Sequence, residues 1–570
     1  MVLTSRSGRR LLAVAASAAL AASLAACGGD DPATSEEETA GETGEGGTSE
    51  GSGGSLVFAG SGDPVILDGA YVSDGESIRP IRQMFETLVT TEAGGTDIVP
   101  LLATEWAASD DGLVWTFSLQ DGVTFHDGTE FNAEAVCFNF DRWYNFTGIQ
   151  QAPSVSYYYS TVFGGFATNE DPALPVSLYS SCEATDEATA VITLSKASST
   201  FLSALSLPAF SMASPTALEE FGADEVSGTG EAPAFDGSFG YTNPVGSGPF
   251  KFESWEQGDR LTLVRNEEYW GDKALLDELI FTPISEGPAR LQALQAGEID
   301  GYDTVDPADL GTIEGDDQLQ LLYRPAFNVG YLGMNSSLPP LDNPDIRKAV
   351  AYAIDKQNIL TTLYPEGAQA AINFMPPDLW GWTDTVEAYE YDPEMAKQLI
   401  ADSGVTDLTV EFWYPTDVSR PYMPDPEGNF TLMAENLEAV GFTVVPKSAP
   451  WNPDYLDANQ VGTQQMYLLG WTGDFSDPDN FLGTFFQTEQ PQWGFSEQAI
   501  FDKLDEAEAE PDEAAREALY VEANELIADF VPGVPYVHTD PAIAFRAGIE
   551  GYEPSPVNNE DFATVSIPSE

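Results

Sequence analysis

The sequence predicts an α/β chain of two or three domains, and three observations carry that expectation. About 515 residues follow the first 54, a length that normally spans more than one core. Apolar residues make up 42% and aromatics 11%, enough to fill such cores. From residue 392 to residue 474 helical patterns alternate with strand patterns, whereas 106–132 reads as an antiparallel meander, so a helix-flanked sheet coexists with a turn-rich β region.

Arg6, Arg9 and Arg10 precede an uncharged Ala/Leu-rich run over 11–23 and the tetrad Leu24-Ala25-Ala26-Cys27. A basic head, a short apolar middle and small residues before a cut describe an export signal over 1–27 rather than a membrane span. The tetrad resembles the bacterial lipobox. That resemblance implies a diacylglycerol on the Cys27 thiol, with Cys27 as the first residue after cleavage and the protein anchored to the outer face of the cell membrane. The alternative is an ordinary signal peptide with an incidental cysteine. Residues 28–54 are almost wholly Gly, Ser, Thr, Glu, Asp and Ala, and read as a disordered, self-repelling linker. Beyond it no apolar stretch approaches the roughly 20 residues needed to cross a bilayer.

The charge balance narrows function. With 22 Lys+Arg against 93 Asp+Glu the formal net charge is −71, a field that repels nucleic acid and anionic headgroups and favours a soluble monomer. Two cysteines besides Cys27, Cys137 and Cys182, suggest one disulfide in an exported chain, with two free buried thiols as the alternative. The two histidines, His126 and His538, stand in neither an HExxH nor a nucleophile-elbow context, and no cofactor motif is present. The acidic run Asp474, Asp477, Asp479 does not fit an EF-hand, whose sixth and twelfth positions would here be Asp479 and Phe485 instead of Gly and Glu, and having only two histidines disfavours metal capture by imidazole, so no metal is expected.

The globular part opens with a buried-strand pattern at 55–60, a Gly/Asp-rich loop and a helical segment near 78–89. In the meander, Leu113, Trp115, Phe117 and Leu119 alternate with other residues, Asp-Gly pairs supply the turns, and a helix is expected to start at Asn132. Further on, Asp392 and Pro393 read as N-cap and first-turn proline of a helix ended by Gly404, followed by a strand over 408–414. A loop carrying Arg420 leads to a helix over about 429–440 that stops at Gly441, a strand near 442–445, and a strand over 465–470 ending in Trp471-Thr-Gly-Asp474.

The run containing Trp106, Ser109, Asp111, Gly112, Trp115, Phe117, Leu119, Gly122, Val123, Phe125, His126, Asp127, Gly128 and Phe131 resembles the signature of the peptide/nickel (dipeptide/oligopeptide-binding) family of extracellular solute-binding proteins of ABC importers. Blocks at 243–250, 289–300, 343–355 and 470–481 extend the resemblance from residue 55 to the C-terminus. It implies a periplasmic-binding-protein-like (type II) fold of two α/β lobes closing on solute, with an extra subdomain on lobe 1. The corresponding boundaries are 55–90 and 241–323 for lobe 1, 91–240 for the subdomain, 324–531 for lobe 2, and 532–570 for the return to lobe 1. His126, Gly246 and Gly248 are read as turn and bend residues of these blocks.

Arg420 and Asp474 each follow the carboxyl end of a predicted strand, where open α/β sheets hold small ligands. Opposite charges there suit a zwitterion, guanidinium taking carboxylate and Asp taking ammonium. In the family's dipeptide-binding members an arginine before Pro-Tyr and the aspartate of Gly-Trp-Thr-Gly-Asp have those roles. The resemblance carries them to Arg420 and Asp474, with Trp471 as a cleft wall and the loop of Ser73, Asp74 and Gly75 offering backbone groups. The spacing from Tyr414 to Arg420 is one residue longer than in that pattern. Two local readings stand beside these roles: Arg420 pairing with Asp425, and Asp474 capping the turn made with Asp477 and Pro478.

The expected function is a non-enzymatic, lipid-anchored receptor that captures a small peptide and hands it to an ABC permease. A same-fold alternative binds an oligosaccharide or other neutral solute on Trp380, Trp382, Trp413, Trp451 or Trp471, and a third reading is a secreted hydrolase using paired carboxylates.

Overall fold

The computed structural model describes residues 53–567, apart from Glu231 and Glu366. The export segment with Cys27, and the linker up to residue 52, lie outside the described residues. At the linker's end Gly53 N donates to Leu275 O and Gly54 N to Asp277 Oδ2, so the chain is bonded to the body just before its first strand.

Two mixed sheets form the cores of two lobes. The first has seven strands in the spatial order Phe250–Glu256, Arg260–Arg265, Glu278–Pro283, Ser55–Gly60, Gly301–Tyr302, Ala542–Arg546, Leu319–Tyr323. The second has five, in the order Thr443–Pro450, Thr409–Thr416, Met466–Thr472, Asn328–Met334, Gly533–Val537. Both faces of the second sheet are covered. Leu332, Met334, Phe412, Met466 and Leu468 enter one apolar cluster, while Val329, Tyr331 and Tyr467, at alternating positions, enter another. That is the pattern of a sheet sandwiched between helices.

The turn-rich region builds a subdomain around a four-stranded antiparallel sheet, Ala103–Ala108, Val114–Leu119, Thr189–Leu194, Tyr179–Asp186. Its helix Ala133–Tyr144 is capped by Asn132, whose side chain accepts from Ala135 N. A disulfide between Cys137 and Cys182 ties that helix to the outer strand of the sheet. His126 Nε2 meets Gly248 O at 3.0 Å, joining the meander's turn to the block around Gly248.

Local signals set most element ends. Asp392 accepts from Glu394 N and Met395 N at the start of helix Pro393–Ser403, and Asp425 caps helix Pro426–Val440, which therefore begins earlier than 429. Gly441 ends that helix at φ 113°, a conformation a side chain would oppose. The first helix runs Gly75–Met84 instead of 78–89, because Asp74 caps it three residues early and Glu86 is drawn into tertiary bonds. The Glu86 carbonyl accepts from Met212 N, and its carboxylate accepts from Ser247, Tyr269 and Trp270. The strand expected at 442–445 continues to Pro450, extended by its parallel pairing with Thr409–Thr416.

Two crossings join the lobes. One runs from strand Leu319–Tyr323 to strand Asn328–Met334. The other leaves strand Gly533–Val537 for Ala542–Arg546, so the return to the first lobe falls beyond Val537 and not at 532, since Gly533–Val537 pairs with the second sheet. The crossings bind each other: Arg324 N donates to Pro541 O, Asn328 Nδ2 to Thr539 O, and His538 Nδ1 lies 2.6 Å from Asn328 O. Arg324 also pairs with Asp303 and Glu560, which fixes the crossing to the first lobe. Two short connections running in opposite directions and bonded side by side are the geometry of a hinge.

Candidate functional site

A cleft of about 880 Å³ lies between the lobes, lined from both sides. Every residue named above for the site reaches it: Arg420, Asp474 and Trp471 from the second lobe, Ser73 and Gly75 from the first. Strands Thr409–Thr416 and Met466–Thr472 are parallel neighbours, so their carboxyl ends open on the same side of the sheet. Arg420 and Asp474 are brought to one cleft by that parallel pairing.

Asp474 follows Gly473, where a side chain would collide with the ring of Phe327. This close approach holds the turn against the core. The Asp474 amide donates to Asn480 Oδ1 at 2.8 Å, and Trp471 Nε1 reaches the same oxygen at 3.2 Å. The Asp474 carboxylate accepts from Tyr158 Oη at 2.9 Å. It does not cap the following turn, a task performed by Asp477, which accepts from Asp479 N and is paired with Arg516. Burial pushes the Asp474 carboxyl up to about 6, against the lowering effect of the Tyr158 and Asn480 hydrogen bonds. Burial, together with the Asp474 charge, pushes Tyr157 up to about 12.

Arg420 stands at an exposed turn whose backbone is closed by Arg420 N to Met423 O and Met423 N to Arg420 O. Its guanidinium lies 4.9 Å from the centroid of the Trp451 ring, an arrangement worth about 0.5–1 kcal/mol at an exposed site. It does not pair with Asp425, whose carboxylate caps the next helix. The Arg420 side chain thus lies in the cleft, stacked on an indole. On the first lobe, Asp74 spends its carboxylate on Ser77 N as helix cap, leaving Ser73 and Gly75 exposed at the wall.

The five tryptophans considered for stacking separate. Trp451 and Trp471 line the cleft, whereas Trp380, Trp382 and Trp413 do not; the ring of Trp380 is covered by Arg516 at 4.9 Å. Among the described residues no group of three or more His, Cys, Asp or Glu side chains is arranged to hold a metal ion.

Several cleft residues had no signal in the chain's linear pattern. Tyr158 belongs to a short helix, Tyr157–Phe163, of the subdomain and meets Asp474 only through the fold. Arg82, on the helix Gly75–Met84, and Trp493 also line the cleft. Helical periodicity identifies buried faces, and it does not reveal which polar position on such a helix faces a second lobe.

The family model described as bacterial extracellular solute-binding proteins, family 5 middle, matches residues 97–493. The dipeptide-binding protein of Escherichia coli (strain K12) is 31% identical over 529 residues, covering 90% of this chain and 94% of that protein. Heme-binding protein A of Haemophilus influenzae is 31% identical over 526 residues, covering 90% of this chain and 92% of that one. Among solved structures, the periplasmic binding protein DppA from Helicobacter pylori in complex with the peptide STSA superposes with a TM-score of 0.73 at 28% identity, covering 91% of this chain and 99% of that one.

Proposed function

The chain belongs to the bacterial extracellular solute-binding proteins of family 5, and from that premise we propose that it captures a small peptide, from a dipeptide to a short oligopeptide, between its lobes and delivers it to the permease of an ABC importer. The observation that carries this reading is a pair of opposite charges following the carboxyl ends of two parallel strands: Arg420 and Asp474, neither in an ion pair with any other described residue. An ammonium at Asp474 and a carboxylate at Arg420 use both charges of a zwitterionic peptide. Trp471 and Trp451 supply apolar walls, and the exposed backbone at Ser73 and Gly75 supplies hydrogen bonds to the peptide chain.

No bond is made or broken. Peptide touching both lobes favours the closed arrangement by its differential contacts, the hinge at 324–327 and 538–541 absorbs the movement, and the permease reads the closed form. The protein works as a monomer outside the cytoplasm, held by lipid on Cys27. Replacing Cys27 with Ala then moves the protein from the membrane fraction to the medium, and continued retention would rule out that anchor.

Native mass spectrometry of the purified protein with pooled peptides and oligosaccharides tests the solute class. Intact peptides retained in the complex support the reading. Retained sugars replace it with the neutral-solute alternative, and cleaved products replace it with a hydrolase.

A further inference from the structure

Arg420 and Asp474 both belong to the second lobe, so a peptide held by them alone gains nothing from closure. Closure is driven only by contacts made to the first lobe as well. The first-lobe wall of the cleft and the crossing anchored to it carry three arginines, and two of them are spoken for: Arg79 pairs with Glu76 and Asp303, and Arg324, on the crossing, with Asp303 and Glu560. The third, Arg82, has no carboxylate within ion-pair distance among the described residues. Its Nη1 donates to the neutral Asn559 Oδ1 at 2.7 Å, and its Nε is buried without any partner.

Three other described arginines also lack an acid, but Arg290 and Arg347 lie away from the cleft and give their guanidinium N–H groups to backbone carbonyls, and Arg420 stacks on Trp451 in the second lobe. On the first-lobe side of the cleft Arg82 alone among the described residues is thus left without one. An unsatisfied N–H on a buried cation costs free energy unless something arrives to accept from it. Burial lowers the Arg82 pKa to about 10, and the Glu560 carboxylate, which attracts it from further away, is already engaged by Arg324. Arg82 also lies within electrostatic reach of Tyr158, the residue that bonds Asp474 across the cleft.

We propose that Arg82 is the first-lobe receptor for a carboxylate of the bound peptide, and that this contact couples capture to closure. The inference rests on the peptide reading above. The carboxylate belongs either to the peptide's C-terminus or to an acidic side chain, and the guanidinium fork serves both.

Titration calorimetry with Ala-Ala, Ala-Ala-amide, Glu-Ala and Glu-Ala-amide, on the unaltered protein, Arg82→Gln and Arg82→Lys, separates the cases, with lobe closure followed by small-angle scattering. Arg82→Gln is expected to weaken a carboxylate-bearing peptide roughly tenfold or more and to diminish closure, with partial recovery in Arg82→Lys, which keeps the charge and loses the fork. A loss shared by Ala-Ala and Glu-Ala and absent for both amides assigns the C-terminus. A loss confined to Glu-Ala and its amide assigns the side chain. The unaltered protein supplies a test independent of any variant's folding: Ala-Ala-amide, which has no carboxylate, is expected to leave it less closed at saturation than Glu-Ala does, and less closed than Ala-Ala as well where the C-terminus is the group held.

Equal closure by all four peptides, or Arg82→Gln binding every peptide within about twofold of the unaltered protein while closing fully, overturns the role of Arg82 and leaves the peptide reading standing. Failure of the unaltered protein to bind any of the four, or any pooled peptide, overturns both.

Discussion

Tyr158 Oη donates to Asp474 Oδ1 at 2.9 Å across 316 positions of sequence and from the subdomain to the second lobe. Two further contacts join the same bodies: Lys196 Nζ to Glu508 Oε1 at 3.1 Å and Ser199 Oγ to the Glu508 carbonyl at 2.8 Å. The carboxylate proposed to hold the peptide's ammonium is therefore also a point where the two sides of the cleft meet. Asp474→Asn is expected to weaken peptide binding by about 2 to 5 kcal/mol, as for one partner of a buried charge pair, with the fold kept and the melting temperature at neutral pH not lowered. Calorimetry alongside thermal melting checks this, and unchanged affinity would remove Asp474 from the site.

The pH dependence follows from the same group. In the free protein the Asp474 carboxyl titrates near 6, above its ordinary range, because burial penalises the charge. Only the carboxylate pairs with an ammonium, so affinity is full above about pH 6 and falls up to about tenfold per unit below it. The sign for stability is opposite. A carboxyl whose pKa is raised by folding favours the folded state most below its unfolded pKa, and that contribution is lost as pH rises through 6. Peptide binding offsets the cost of the charge, so the thermal shift on adding a dipeptide is expected to be larger at pH 7.5 than at pH 5.

Tyr158→Phe removes a hydrogen bond that lowers the Asp474 pKa. The midpoint of the affinity-against-pH curve is expected to move upward in that variant, with a loss at neutral pH of about 0.5–1.5 kcal/mol. A midpoint that stays in place would show that the phenol does not tune the carboxylate.

Arg420 is more exposed than Asp474, and its loss should cost less. Arg420→Gln is expected to weaken peptides with a free C-terminus by about 1.5–3 kcal/mol and their amides much less. Trp451→Ala, which removes the ring under the guanidinium, should reproduce part of that loss, about 0.5–1 kcal/mol. Equal effects on free and amidated peptides would contradict carboxylate recognition by Arg420.

The disulfide closes a separation of 45 residues within the subdomain. Replacing both Cys137 and Cys182 with Ser is expected to lower subdomain stability by about 2–4 kcal/mol through the greater freedom of the unfolded chain. Denaturant unfolding of the two proteins under oxidising conditions measures the difference, and identical midpoints would assign the bond no stabilising role.

Sequence by itself determined the elements whose causes are local. Asp392 with Pro393 and Gly441 mark helix ends because caps act within one turn, and the alternation through Leu113, Trp115, Phe117 and Leu119 marks a strand because side chains alternate faces every residue. It also placed Arg420 and Asp474 after strand ends, since the strand-to-loop change is written in neighbouring residues. Only the tertiary structure decided that those two strands are parallel neighbours, that Gly533–Val537 stays with the second sheet, that Trp380 lies under Arg516 and not in the cleft, and that Tyr158 and Arg82 face the same cleft as Asp474. Those relations come from burial and hydrogen bonding between segments hundreds of residues apart, and a linear pattern carries the propensity of each segment without the partner that gives it a task.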